Sequence, residues 1–198
     1  MIPIFTILFI GFILVLQFQI RKSDAQQDEV DQRFWERERQ ANTIRKKDIS
    51  NLDYITIPED LFPMNLATDT ENSLAALRGK KMLNLTGKTN TDLKLLYGVS
   101  NLEELSEYDD NFTLFVRLVP DYANQLQNDG QIEQARRLLE FAVEKQADSK
   151  NIFTQLAQLY AAAGEGDKIQ SLIAAASELE SLSKLPIISS LQDIQNQM

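Results

Sequence analysis

Hydrophobic and polar positions change their rhythm along this chain. Residues Ile2 to Leu16 are apolar except Thr6, and Gln17, Phe18, Gln19 and Ile20 extend the run to Arg21 and Lys22. From Asp24 to Lys47 the pattern turns polar, dense in Gln, Glu, Asp and Arg without Gly or Pro, which predicts a helix supported by the Glu29/Arg33 pair. From Asp109 onward apolar residues recur at helical spacing: Phe112, Phe115, Val116 and Val119, then Tyr122, Ala123 and Leu126. A turn at Asp129-Gly130 leads to a partner helix over 131–146 with Ala135, Leu138, Leu139, Ala142 and Val143 inward. A second hairpin is predicted with Phe153, Leu156, Ala157 and Tyr160 on one arm and Ile169, Leu172, Ile173 and Ala176 on the other, joined at Gly164 to Gly166. Pro186 suits the first position of a closing helix that buries Ile188, Leu191 and Ile194.

An offset of 34 residues maps the first hairpin onto the second: Ala123 onto Ala157, Gly130 onto Gly164, Ala135 onto Ile169, Leu139 onto Ile173 and Ala142 onto Ala176. Small residues suit close helix crossings and the glycine suits the turn, so the hairpins read as repeats of one interaction module.

Ahead of the repeats, Ile55, Ile57 and the Ile57-Pro58 and Phe62-Pro63 pairs favour extended backbone, predicting a strap over 48–65 that covers something apolar. Asp69 or Thr70 would cap a helix to about Leu85 with Leu74, Leu77 and Leu85 buried, and Thr91 and Asp92 would open a shorter helix closed by Gly98. Asn101 to Tyr108 reads as a further helical turn or two. The expected layout is all-α: a transmembrane anchor over 1–20, a juxtamembrane helix over 21–47, strap and short helices over 48–108, and hairpins with a capping helix over 109–198.

The anchor spans a hydrocarbon core of about 30 Å only if Gln17 and Gln19 lie near the head groups. A cleaved signal peptide, with Ser23 and Ala25 near the cleavage site, is the rival reading; side-chain cations that follow the run and do not precede it favour an uncleaved anchor. Arg21 and Lys22 also favour a cytoplasmic location for the remainder of a single-pass protein of the cell membrane. The stripe Val30, Phe34, Ala41 and Ile44, interrupted by Arg37, leaves open a weak homodimer through the juxtamembrane helix, beside a solvated spacer or a helix packed on its own domain.

Residues 21–50 carry eight basic and seven acidic side chains, whereas 12 basic face 22 acidic from Asn51 onward. An acidic domain repels phosphate backbones, so nucleic acid is not an expected partner. With neither Cys nor His, the chain lacks disulfides, thiolate nucleophiles and imidazole bases, and no cofactor or metal is implied. Gly87-Lys88-Thr89 imitates the end of a phosphate loop, but Met82 stands where its first glycine belongs. The acids Glu103, Glu104, Glu107, Asp109 and Asp110 suit a helix N-terminus better than paired-carboxylate catalysis, and the chain is not expected to be an enzyme.

Ala123, Leu126, Gly130, Ala135, Leu139 and Ala142, with Leu156-Ala157, Tyr160, Gly164, Ile173 and Ala176 in the following unit, resemble the tetratricopeptide repeats over roughly Val116 to Leu182. Departures are Pro120 inside the expected first helix, where it would kink it or start it late, Ile169 in place of a small residue, and Ala147 and Ser181 where the family often has proline. The stretches RFWERERQAN, DISNLDYITIP, LNLTGKTNTDLKLLYG and RRLLEFAVE are similar to an uncharacterised family of single-pass membrane proteins of Gram-positive bacteria, which implies a layout and no activity. The repeat resemblance implies a concave groove lined by Arg117, Asn124, Gln127 and Asn128 in one unit and Asn151, Thr154, Gln155 and Gln158 in the next. Such amides both donate to and accept from an extended peptide. The groove would hold a protein or peptide partner, or the chain's own strap. The expected function is a membrane-anchored interaction scaffold or adaptor; an extracytoplasmic binding or sensor domain on the same anchor is the alternative.

Overall fold

The computed structural model describes residues 4–61 and 65–198, and the architecture is all-helical. Its helices are α1 (Ile4–Thr43), α2 (Asp69–Ala75), α3 (Asn90–Tyr97), α4 (Leu102–Asn128), α5 (Ile132–Glu144), α6 (Lys150–Ala162), α7 (Gly166–Ser177) and α8 (Lys184–Asn196). They divide between two compact units, one of Met1–Lys47 with Asn90–Ser100 and one of Asp48–Thr89 with Asn101–Met198.

The first unit holds α1 and α3. The expected anchor over 1–20 begins outside the described residues, and the chain enters α1 at Ile4. Among the described residues no helix is long and apolar enough to cross a membrane, so the spanning segment rests on the sequence run from Ile2 alone. Further along, Arg33 pairs with Glu29 at 2.7 Å, as the spacing predicts. The helix stops at Thr43, short of Lys47, where the Thr43 hydroxyl folds back on the Gln40 carbonyl and the Lys47 N–H turns to the Tyr97 carbonyl of α3. Of the apolar stripe, Ala41 is fully buried, while Val30 and Phe34 are exposed. Arg37, which interrupts that stripe, reaches Asp92 of α3 at 2.5 Å. Glu38 accepts from the Thr91 hydroxyl and Lys94 ammonium, and the Lys94 and then the Thr91 hydrogen bond holds its carboxyl below the ordinary range. The lower end of α1 therefore spends its polar pattern within the chain.

In the second unit, α4 pairs with α5, α6 with α7, and α8 packs on both arms of the second hairpin. The sequence offset is physical. Gly130 (φ +80°) and Gly164 (φ +73°) close the two turns, and the hydrogen bonds from Gln131 N–H to Leu126 and from Glu165 N–H to Tyr160 repeat each other at 2.8 and 2.9 Å. These are left-handed C-terminal caps that glycine enters without a Cβ penalty. Ala123, Ala157, Ala142 and Ala176 are fully buried at the helix crossings, and so is Ile169, whose larger side chain the second hairpin accommodates.

Three sequence expectations are corrected here. The segment 101–108 is no separate turn, because α4 runs unbroken from Leu102 past Tyr108 and past Pro120, neither starting late nor ending there. Proline withdraws one backbone hydrogen bond at a cost of about 3 kcal/mol, but Phe115, Val119, Tyr122 and Leu126 are fully buried on the same helix, each gaining about 1.5–3 kcal/mol. Burial wins. Helix α2 ends at Ala75, not near Leu85, because Gly79 (φ +75°) turns the chain; Leu77, Met82, Leu83 and Leu85 are buried from irregular backbone. Pro186 occupies the third position of α8, not the first, which brings Ile187 beside Leu191 in the core.

The strap departs from the expected extended run over 48–65: it turns at 50–52, is irregular over 53–58 apart from a β-bridge at Ile55, and enters a 3-10 turn at Glu59–Leu61. Ile55 exchanges backbone hydrogen bonds with Met82 at 2.9 and 3.3 Å, and Ile55, Ile57 and Leu61 join the core. Phe62-Pro63 lies outside the described residues. Beyond it, Thr68 caps α2 in place of the expected Asp69 or Thr70, its hydroxyl accepting the Glu71 N–H at 3.2 Å. The Glu71 carboxylate, only 2% exposed, accepts the N–H groups of Asn65, Leu66 and Ala67 at 3.1, 3.0 and 2.8 Å and the Tyr122 hydroxyl at 2.8 Å. One carboxylate thus satisfies a turn and ties it to α4.

Two outcomes follow from these contacts. Gly98, which ends α3 at φ +91°, would place a Cβ only 2.3 Å from the Arg45 carbonyl, so Gly98→Ala is expected to destabilise the first unit by more than the about 1–2 kcal/mol of a left-handed residue, read by denaturant unfolding. Glu71→Gln should cost about 3 kcal/mol and Tyr122→Phe about 1–2 kcal/mol; equal losses in the two variants would mean that the backbone donors contribute nothing beyond the phenol.

Candidate functional site

Helices α4 and α6, joined through α5, bring two of the eight expected groove residues to one place. Arg117 and Asn151 line a cleft of about 560 Å³ whose floor is Phe112, Val116 and Pro120 and whose rim includes Asp121 and Asp148. Thr86, from the loop after Met82, closes one end. That loop is held by the Asn84 amide, which donates to the Lys145 and Gln146 carbonyls at 3.1 and 3.0 Å, and by the Leu85 N–H, which bonds the Asp109 carboxylate at 3.1 Å.

The other six expected residues lie on the same two helices but not in the cleft lining. Asn124, Asn128 and Gln158 are exposed. Gln127 donates to the Ala123 carbonyl at 3.3 Å and Thr154 to the Lys150 carbonyl at 2.9 Å, so both are bonded within their own helix. Gln155 is half-buried, and its carbonyl oxygen has no hydrogen-bond partner among the described residues. An amide outside the expected set serves the fold: Gln125 accepts from Thr68 and donates to Thr70, at 2.7 and 3.0 Å, joining α2 to α4.

Within its described residues the strap does not line the cleft. Its Pro58, Asp60 and Leu61 share a recess of about 270 Å³ with Arg137 and Phe141 on α5, where Asp60 pairs with Arg137, and Tyr54 meets Tyr108 edge-on at 5.4 Å.

The acidic run at the start of α4 has structural employment. Glu103 and Glu104 stand in its first turn, Glu104 accepts the Tyr108 hydroxyl at 2.5 Å, and Asp109 holds the Leu85 loop. Among the described residues no group of three or more acidic side chains gathers as a metal site.

A second polar cluster joins the hairpins. Arg136 on α5 contacts Glu140 at 3.1 Å and Glu165 at 3.3 Å, Tyr160 donates to Glu140 at 2.8 Å, and Lys168 pairs with Glu165 at 2.6 Å. The Arg136 and Lys168 cations lie 5.6 and 5.2 Å from the Tyr160 ring centre. Burial first, then Glu140, raises the Tyr160 phenol, and Lys168 lowers the Glu165 carboxyl. This cluster fixes the angle at which the second hairpin leaves the first.

Sequence reasoning missed Asp121, Asp148 and Thr86. Asp121 stands four residues after Arg117 and was legible as its neighbour, but Asp148 and Thr86 arrive from loops whose course depends on the packed core.

Four phenols respond to alkali in the same sense, Tyr54 among them, raised first by its burial. The Glu104 carboxylate pushes the Tyr108 phenol up to about 12, and burial, then Glu71 or Glu140, raises Tyr122 and Tyr160 as well. Unfolded phenols titrate near ~10, so the folded state favours the protonated form. That stability is complete below pH ~10 and is lost as pH climbs through the folded values, so thermal midpoints should hold to pH ~10 and then fall, less steeply in Tyr108→Phe. Midpoints already declining in proportion at pH ~8 would contradict it. In comparisons with known proteins, no family model, no curated protein and no solved structure matches this chain.

Proposed function

We propose that this protein is a membrane-anchored interaction scaffold whose stacked helical hairpins hold a protein partner through α4 and α6. The carrying observation is the cleft between those helices, where Arg117, Asp121 and Asp148 surround an apolar floor and, among the described residues, form no ion pair. Charges that stabilise a fold are paired, as Arg136 and Arg137 are on the neighbouring helix. Charges left free beside apolar surface suit a partner that brings its own complement. The exposed amides Asn124, Asn128 and Gln158 extend this face along the helices. The resemblance to tetratricopeptide repeats supports the same face as the binding side. The apolar run from Ile2, followed by Arg21 and Lys22, supports an N-terminal span with the hairpins in the cytoplasm. Tethering is the mechanism: the span confines the hairpins to the membrane and raises the local concentration of whatever they hold.

Two measurements test this. Partner recovery from membranes by the tagged full chain is expected to fall severalfold in Val116→Ala/Asn151→Ala, which trims the cleft lining without changing its charge, and less in Asn124→Ala/Gln158→Ala; unchanged recovery in both folded variants rejects the surface. A C-terminal tag is expected to resist protease in intact cells whose wall has been removed. Digestion there would replace the scaffold reading with an envelope-facing binding or sensor domain.

A further inference from the structure

We infer that the α4/α6 cleft selects a partner segment carrying a basic side chain next to an apolar one, with Asp148 and Asp121 receiving the cation and the Phe112, Val116 and Pro120 floor receiving its neighbour. This rests on the scaffold reading and names the partner chemistry of the same site.

The first observation is an excess of acceptors. Pro120 has no N–H to give to the Val116 carbonyl, and both residues line the cleft, so a backbone acceptor without its i+4 donor lies in the wall. Among the described residues no cation neutralises the Asp148 carboxylate, and its buried Oδ1 finds no hydrogen-bond partner. Ser149, at the start of α6, makes no side-chain capping bond. Arg117 supplies the one cationic group of the lining, against two carboxylates.

The second observation is charge continuity. Asp148 and Thr86 also line an adjoining recess of about 310 Å³, which adds Glu178 and Glu180 against Lys88. The Ser181 hydroxyl in that recess is buried and has no hydrogen-bond partner among the described residues. The two recesses together present four carboxylates to two cations, in a unit with 22 acidic and 11 basic side chains. Such a field attracts a cationic segment and opposes an acidic one. The third observation is the floor: Phe112 and Pro120 are buried core residues reached from the cleft, and Lys or Arg also lays its aliphatic stem along such a surface.

The probe is a library of 12-residue peptides displayed on phage and selected on the full chain in detergent. Enriched peptides should share a Lys or Arg adjacent to Leu, Ile or Phe. Asp148→Asn should weaken a selected synthetic peptide about tenfold, and added salt should weaken it further. Arg117→Glu, which adds a carboxylate at the rim, should tighten it severalfold, so the inference does not depend on one loss-of-function variant. Pro120→Ala, which returns an N–H to the Val116 carbonyl in a helix at least as stable, should weaken it too. Peptides that are enriched but acidic or uncharged, or whose affinity stays within about twofold in Asp148→Asn and Arg117→Glu, overturn this inference and leave the scaffold reading standing. No enrichment above background overturns both.

Discussion

Helix α4 cannot exist without company. Its 27 residues bury Leu105, Phe112, Phe115, Val119, Tyr122, Ala123 and Leu126, and most of the second unit is an answer to that apolar face. Most of a helix's stability in a protein comes from packing its apolar face, not from propensity, and a mid-helix proline weakens this one further, so tertiary burial holds it together. Helix α5 covers one side, α2 another, α6 touches it across the hairpin, and the loop carrying Leu83 and Leu85 is bonded to it at Tyr108 and Asp109. Removing any of these would expose a surface that the others cannot close.

Polar groups decide how those covers are positioned. Glu71 is the clearest case: a carboxylate in an apolar core is tolerable because four donors converge on it, and once they do, the 65–67 turn, the start of α2 and the middle of α4 hold one register. Arg136, Glu140, Tyr160 and Glu165 do the same between hairpins, at a site still open enough to water that geometry matters more there than net energy. Against this background the free charges of the α4/α6 cleft stand out. The same chain that gives Glu71 four donors leaves Asp148 and Arg117 without an ion pair among the described residues.

The hairpins were legible because their signal is local and repeated. Gly130 and Gly164, with Ala123/Ala157 and Ala142/Ala176, mark turns and crossings that need no knowledge of the rest of the chain, and their hydrogen bonds recur at the same spacing. The cleft was half legible. Arg117 and Asn151 follow from helical position, whereas Thr86 and Asp148 reach it from loops, and no local propensity sets a loop's destination. Thr68 shows the same limit on a smaller scale: Asp69 and Thr70 are equally good caps by residue type, and Thr68 takes the position because its neighbour Glu71 is drawn to Tyr122.

By itself the sequence determined the helical class, the 34-residue repeat with its glycine turns, the non-helical backbone around Ile55 and Ile57, the polar helix around Glu29 and Arg33, and the absence of thiol and imidazole chemistry. Each is a property of residue type or short-range spacing. The tertiary structure decided that α4 passes through Pro120, that α2 stops at Ala75, that the end of α1 docks on α3 through Glu38 and Arg37, and that Asp148 and Arg117 come to line one cleft. These outcomes balance a local cost against burial or pairing with residues distant in the chain, and only the packed structure sets both sides of that balance.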